Sequence, residues 1–307
     1  MNAADNNIND VPDACANCGR GEAEYRTLRP CAACKMVKYC NRECQIAHRP
    51  QHKGPCKRRA AELHEEALFR QPPPQHGDCP ICLERMPTLN TGMKYAACCG
   101  KIICSGCIYA VQSRATKEEH DICPFCRTPP PATNEENLKR IQKRVEAGDA
   151  NAMDDLGCIY RDGACGVSQS YARALELYQL AGELGHSSAY CNIGRAYELG
   201  RGVGMDKKMA KHYYELAAMG GLAEARYNLG VIEENAGSFE RALRHYMIAV
   251  KIGSNVSLDE VKDLYSKGHA AKDDYTKALG AYQAYLDEIK SDQREEAAAA
   301  EECDKYY

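Results

Sequence analysis

The residues best placed to do chemistry are cysteines. Of 19 in the 307-residue chain, fifteen fall between Cys15 and Cys126, in two blocks. The first block reads Cys15-x2-Cys18-x12-Cys31-x2-Cys34-x5-Cys40-x3-Cys44-x7-His52-x3-Cys56. The second reads Cys79-x2-Cys82-x15-Cys98-Cys99-x4-Cys104-x2-Cys107-x15-Cys123-x2-Cys126. A Cys-x2-Cys step lets one tight turn present two thiolates to one ion, and eight ligands make two tetrahedral sites. Blocks of roughly 50 residues have too little apolar surface to fold alone, so structural zinc is the expected cofactor, four ions, two per block. Disulfides are the rival reading. The opening MNAADNNIND has no basic region followed by an apolar stretch, so no secretory signal is expected and the cysteines read as metal ligands.

The elements that must position these ligands follow from the composition between them. Residues 1–12 are polar, Asn/Asp-rich and expected to be disordered. The first finger occupies 13–59 and carries an excess of basic residues, ending in Lys57-Arg58-Arg59, which reads as a solvated helix start. Residues 60–77 combine helix formers, with Leu63, Ala67 and Phe69 available for packing, and a linker stiffened by Pro72-Pro73-Pro74. The second finger spans 78–128. Residues 129–148 begin with Pro129-Pro130-Pro131 and continue as a capping helix, where Thr133 and Glu136 form a capping box ahead of Leu138, Ile141 and Val145.

From 149 to 289 the chain repeats. MDDLGCIY (153–160), YCNIGRAY (190–197) and RYNLGVIE (226–233) align, as do Ala174, Ala210 and Ala242, then Tyr178, Tyr214 and Tyr246. Ala181, Ala217 and Ala249 correspond as well, and so do Gly185, Gly221 and Gly253. A degenerate fourth copy carries Ala278, Tyr282 and Tyr285. Each unit is a helix, a loop, a second helix and a glycine stop. Stacked units bury a continuous core that no single unit buries alone. The acidic tail, 290–307, reads as a solvated terminal helix.

The first block resembles the MYND zinc finger throughout its length, including Gln45 after Cys44 and Lys53 after His52. The resemblance implies an interleaved arrangement. Cys15, Cys18, Cys40 and Cys44 would hold one zinc; Cys31, Cys34, His52 and Cys56 would hold the other. It also favours His52 over the competing His48. Such fingers dock short, often proline-containing peptides, but Arg49 stands where many members carry a tryptophan near the end. The second block is similar to a RING-type finger. That likeness implies a cross-braced pair of sites, Cys79, Cys82, Cys104 and Cys107 at one, Cys123 and Cys126 at the other with two ligands from the Cys98-Cys99 region. Lys101 occupies the position of the common form's histidine, and a protonated amine is a poor ligand. Cys98 and Cys99 would both ligate, with His120 as the alternative to one of them.

The RING likeness implies a contact surface for a ubiquitin-conjugating enzyme at Ile81, Pro124 and Arg127, and no covalent catalytic residue. The repeats resemble Sel-one-like repeats, relatives of the tetratricopeptide repeat, which present a curved surface to protein partners. The expected fold is therefore two small zinc-stabilised fingers, MYND then cross-braced RING-like, followed by an all-α helical-repeat solenoid. The function implied is ubiquitin-protein ligation, the second finger recruiting the conjugating enzyme while the MYND finger and repeats bind protein substrate. The alternative is a non-enzymatic adaptor for protein–protein contacts. A formal charge of −3 argues against nucleic acid as a partner of the whole chain. No run of 18 apolar residues suggests a membrane span. Cytoplasmic residence is expected, with nuclear residence open as well. The chain offers no Gly-rich phosphate loop and no serine-nucleophile elbow, and Cys158, Cys191 and the histidines of the repeats are assigned no chemistry.

Overall fold

The computed structural model describes residues 13–21, 27–88, 92–113 and 122–300, and it divides after Arg70 into two compact units. Residues 1–12, His120 and the last seven residues of the tail lie outside the described residues.

The first unit is a finger built on almost no apolar core. β1 (Arg29–Pro30) pairs antiparallel with β2 (Lys38–Tyr39), and α1 (Arg42–Leu68) follows. Leu28 and Tyr39 are buried with Cys15, Cys31 and Cys34. The helix expected over 60–70 is the last part of α1, which starts inside the finger. Asn41 sets that start, its side-chain oxygen accepting from the Cys44 N–H at 2.8 Å. Pro50 and Pro55 lie within α1, and each withholds an N–H from the carbonyl four residues back. Those carbonyls belong to Ile46 and Gln51, both exposed, where water can serve them.

In the second unit β3 (Met93–Ala96) and β4 (Lys101–Cys104) form an antiparallel hairpin with Ala96 opposite Lys101, leading into α2 (Ser105–Gln112). α3 (Asn134–Glu146) begins at Thr133, whose hydroxyl accepts from the Glu136 N–H at 3.1 Å, while the Glu136 carboxylate takes the Ala132 N–H at 2.8 Å. Helix pairs follow: α4 (Ala150–Asp162) with α5 (Tyr171–Glu183), and α6 (Ser187–Leu199) with α7 (Lys207–Met219). Next come α8 (Ala223–Asn235) with α9 (Phe239–Lys251), and α10 (Asn255–Ser266) with α11 (Lys272–Ile289). α12 (Asp292–Ala300) ends the described chain.

The repeat signature is a packing rule. Ala174, Ala210 and Ala242 are buried, and so are Ala181, Ala217 and Ala249, so the second helix of each pair meets its neighbours through methyl groups. Tyr178, Tyr214 and Tyr246 are buried between them and lie across Gly157, Gly194 and Gly230 of the first helices. A Cβ on Gly194 would stand 2.8 Å from the Tyr214 ring. The buried hydroxyls find partners: Tyr214 donates to Glu198 at 2.7 Å and Tyr246 to Glu234 at 3.1 Å. The degenerate fourth copy departs from the rule where an alanine is expected. Tyr285 stands at that place, is buried, and its hydroxyl accepts the Thr88 N–H from the second finger at 2.9 Å.

One expectation needs correction. The tail was expected as a solvated helix, but α12 packs on α2 of the second finger and buries Arg294 and Ala297. Its alanines make it thin, and Gly106 of α2 offers no side chain, so the two backbones come close. A Cβ on Gly106 would lie 3.0 Å from the Arg294 backbone nitrogen. The linker before the second finger lies along the array. Pro72 is buried, and Gln75 donates through Nε2 to the Ser188 hydroxyl at 3.2 Å.

The glycine–tyrosine rule has a direct test. Gly194→Ala should lower stability by about 1–2 kcal/mol, the overpacking outweighing an alanine's gain in helix propensity. Gly204→Ala, in open space, should leave the thermal melt unchanged.

Candidate metal centres

Four groups of thiol and imidazole atoms gather in space, the atoms of each lying within 4.8 Å of one another. They are Cys15, Cys18, Cys40 and Cys44; Cys31, Cys34, His52 and Cys56; Cys79, Cys82, Cys104 and Cys107; and Cys98, Cys99, Cys123 and Cys126. The first finger is thus interleaved and the second cross-braced. His48 stays outside the second group, its Nδ1 hydrogen-bonded to the Tyr39 hydroxyl at 3.1 Å. Both Cys98 and Cys99 sit in the hairpin turn and join the fourth group, while the Lys101 ammonium stands over the Phe125 ring at 5.8 Å.

The distances suit zinc. A tetrahedron with Zn–S bonds of about 2.3 Å has edges of about 3.8 Å. Sulfur pairs in the four groups include Cys18–Cys40 and Cys31–Cys56 at 3.7 Å, Cys79–Cys107 and Cys82–Cys104 at 3.8 Å, and Cys99–Cys123 at 3.9 Å. These are far too long for disulfides, whose bond is about 2.05 Å.

The backbone carries the same message. In four of the five Cys-x2-Cys steps, those other than Cys104–Cys107 at the start of α2, the residue after the second cysteine donates its N–H to the first cysteine's carbonyl. Gly19 does so at 2.9 Å, Lys35 at 3.0 Å, Leu83 at 2.9 Å and Arg127 at 2.9 Å. All four have positive φ, between 59° and 72°. A side chain in that region costs about 1–2 kcal/mol, so three non-glycine residues held there imply a strong external constraint. Ligation of the turn's two sulfurs to one ion would supply it.

Electrostatics point the same way. Burial opposes ionisation of Cys15, but the N–H groups of Cys18, Cys40 and Asn17 outweigh it and bring the thiol down to about 6. Cys31 falls to about 6 against the same opposition, helped first by the Cys34 N–H and then by His52. Cys126 falls to about 6, where burial is outweighed by the hydroxyl and N–H of Thr128. Their neighbours pay in the opposite direction: burial and then the adjacent thiols push Cys40 and Cys56 up to about 12. Each group holds one thiol drawn down, Cys15, Cys31, Cys79 or Cys126, and at least one pushed up, Cys40, Cys56, Cys107 or Cys98. A divalent ion among them removes that conflict. Zinc, held by the four ligand atoms of each group, would supply structural cross-linking.

The array grips the second finger at both metal centres, and this the sequence did not disclose. From α3, Arg144 donates to the carbonyls of Ala97 and Cys98 at 3.3 and 3.0 Å, beside the fourth group. The Tyr95 hydroxyl donates to Asp149 at 2.7 Å. From α12, the buried Arg294 donates to the carbonyls of Arg85 at 2.8 Å, Ile289 at 2.7 Å and Glu84 at 3.5 Å, beside the third group. Burial works to lower the Arg294 pKa, but its hydrogen bond to Cys104 and the charges of Cys104 and Cys82 raise it. Arg85 and Glu288 form an ion pair at the same end. Nothing in the local sequence around Arg294 marks it; only an arginine in an otherwise acidic, alanine-rich helix was visible.

The remaining sequence candidates are placed as follows. Ile81 is 41% exposed and Arg127 is exposed, while Pro124 is half-buried, so all three reach the surface of the finger. Leu83 and Phe125 are exposed beside them in the same two turns. Cys191 is buried as a small apolar group, and half-buried Cys158 accepts from the Tyr178 hydroxyl at 3.5 Å. The histidines of the repeats gather at no common site: His212 packs on Tyr213, His269 on Phe239, and His245 is buried against Arg226.

Comparison with known proteins fits this geometry. Residues 15–56 match the MYND finger, and residues 150–186 and 187–222 each match the Sel1 repeat. The chain is 26% identical over 125 residues to chitin synthase regulatory factor 4 of Schizosaccharomyces pombe, covering 40% of this chain and 20% of that protein. It is 29% identical over 114 residues to the ERAD-associated E3 ubiquitin-protein ligase component HRD3B of Arabidopsis thaliana, covering 36% and 17%. The chain therefore spans about a fifth of the length of the curated relatives it matches. Among solved structures, a Sel1 repeat protein from Oxalobacter formigenes aligns at 31% identity and a TM-score of 0.43, covering 55% of this chain and 65% of that one. The protective antigen c5321 of uropathogenic Escherichia coli, of SLR fold, aligns at 26% identity and the same TM-score, covering 50% and 34%.

The grip on the third group generates a prediction. Arg294→Ala strips hydrogen bonds from buried carbonyls and a positive charge from beside two thiolates. It should lower the stability of the second unit by about 2–3 kcal/mol. One zinc should also leave faster to a chromogenic chelator. Exposed Arg70→Ala should change neither the melt nor the release kinetics.

Proposed function

With residues 15–56 a MYND finger and residues 150–222 two Sel1 repeats, both of them modules that generally mediate protein–protein contacts, we propose that the chain is a substrate-binding ubiquitin-protein ligase. In this reading the second finger recruits a ubiquitin-conjugating enzyme, and the first finger and the repeats hold the protein to be modified. The observation that carries it is the second finger's surface. A small finger leaves three large apolar side chains, Ile81, Leu83 and Phe125, in solvent at its first and last metal turns, next to Pro124 and Arg127. Exposed apolar side chains ringed by polar ones mark contact surfaces. The likeness to a component of a ubiquitin ligase lends support of the same kind.

The mechanism asks nothing covalent of this chain. The cross-braced sites hold the two turns rigid, so the apolar side chains dock the conjugating enzyme in one orientation. The Arg127 guanidinium, with five donors in a planar fork, then bridges that enzyme and its bound ubiquitin. The contribution to rate is positioning of a thioester before an attacking lysine. Zinc at four sites, two per finger, keeps both fingers folded. The abundance of unpaired thiols fits a reducing compartment, cytoplasm or nucleus.

A non-enzymatic adaptor is the second reading, favoured by Lys101. Its ammonium lies against Phe125, placing a charge on the apolar surface that the conjugating enzyme would have to cover.

Autoubiquitination by the zinc-loaded full chain, over a panel of conjugating enzymes, separates the two. Activity should appear with at least one enzyme. It should fall about tenfold in Ile81→Ala and in Arg127→Ala, the loss of one anchor of about 1.4 kcal/mol. No activity with any enzyme, or activity indifferent to both substitutions, leaves the adaptor. Native mass should show four zincs; fewer than three would overturn the two-finger assignment.

A further inference from the structure

The first finger contains a groove of about 640 Å³ between α1 and the segment carrying Cys31 and Tyr39. One edge of that groove is a line of cations. Arg42, Arg49, Lys53 and Lys57 all line it and all are exposed, at helical spacings of seven, four and four, with Ile46 among them at 58% exposure. No acidic residue lines the groove, and none of the four cations takes part in an ion pair among the described residues. Arg59, two residues further on, is different: it is neutralised by Glu62 and Glu66 within α1. The zinc site on the groove floor, three thiolates and a neutral imidazole, carries a net charge of only about −1 and leaves the groove positive. Such a line of unneutralised charge repels itself and gains by meeting a negative partner.

We propose that this groove binds an acidic peptide in extended conformation, with carboxylates at alternate positions and an apolar side chain at one end. The spacing argues for it. Residues four apart on a helix rise about 6 Å, while alternate residues of an extended strand are roughly 6.6 Å apart and point the same way. A peptide lying along α1 therefore sets successive alternate carboxylates against Arg49, Lys53 and Lys57. Its next side chain of the same face falls on Ile46. About seven residues of peptide cover the stretch from Lys57 to Arg42. Arg49 and Arg42 supply planar forks that take a carboxylate through two bonds, so the groove selects carboxylates by geometry as well as charge.

Nucleic acid is the rival anion and fits less well. Single strands are held by aromatic faces on which bases stack, and of the two rings lining the groove Tyr39 is buried at 3% exposure and His52 belongs to a metal group. This inference deepens the protein-binding reading of the first finger. It is independent of ligase chemistry, because peptide binding is read without ubiquitin.

The test is fluorescence anisotropy with the zinc-loaded full chain. The probes are labelled Leu-Ser-Glu-Ser-Glu-Ser-Glu, the reversed sequence, and both with glutamine in place of glutamate. At least one acidic probe should bind, at least tenfold more tightly than its glutamine version, with affinity falling as salt rises. The Arg49→Gln, Lys53→Gln double variant should lose at least tenfold while keeping its zinc content. Glutamine probes binding equally, or no binding by either acidic probe, would overturn the proposal. So would unchanged affinity in the zinc-replete double variant. A random oligonucleotide that binds more tightly than both acidic probes and displaces them would reassign the groove to nucleic acid. The comparison between glutamate and glutamine probes needs no variant, so it stands even where the double variant fails to fold.

Discussion

Four sulfur or nitrogen atoms held within 4.8 Å of one another are the constraint on which everything else in the fingers depends. Without a central cation such a group is electrostatically divided, one thiol inclined to ionise and at least one neighbour driven the other way. With a dication it becomes the strongest bond in a finger whose apolar core amounts to little more than Leu28 and Tyr39. The positive φ at Lys35, Leu83 and Arg127 shows how local that control is. The backbone accepts strain after each second cysteine so that two sulfurs can face one point. In the second finger two of these positions, Leu83 and Arg127, are exposed at the metal turns.

The second finger is also shaped from outside. Arg144 from the start of the array and Arg294 from its end each take carbonyls next to a metal group, one at the fourth group and one at the third. The finger is thus tied to both ends of the helical array, and the array's irregularities are where it is tied. The fourth repeat puts Tyr285 where an alanine belongs, and that hydroxyl receives the finger's Thr88 N–H. The last helix is alanine-rich and meets Gly106, so its arginine can reach the carbonyls beside Cys82. What reads as decay of the repeat pattern is, in the folded chain, the fitting of the finger.

This arrangement has a consequence for function. The repeats, the second finger and the terminal helix share hydrogen bonds and a buried charge, so a partner bound on the array acts on a body that includes the finger. The first finger forms a separate unit with its own basic groove. A protein-interaction role therefore has two chemically distinct surfaces available: exposed apolar turns on the second finger and unneutralised cations on the first.

How much of this was legible in the sequence depends on how local the physics is. Metal ligation is read from side-chain type and spacing, because a tight turn can offer two thiolates only at certain separations. Spacing therefore marked the candidate ligands. Their division into four groups, and His52 rather than His48, came from the resemblance to the MYND and RING-type fingers, and the structure brings those groups together. The repeats were equally legible, since the Gly194–Tyr214 contact recurs at Gly157–Tyr178 and Gly230–Tyr246 and leaves its mark in the letters. The start of α1 was missed because Pro50 and Pro55 argue against a helix that exposed carbonyls allow. The solvated reading of the tail failed for a different reason. Arg294 is buried by carbonyls about 210 residues earlier in the chain, and no local pattern records a partner at that distance. Composition and spacing determined which atoms could meet a metal; only the tertiary structure decided which arginine would stand beside it, because buried charge is placed by contacts between distant segments.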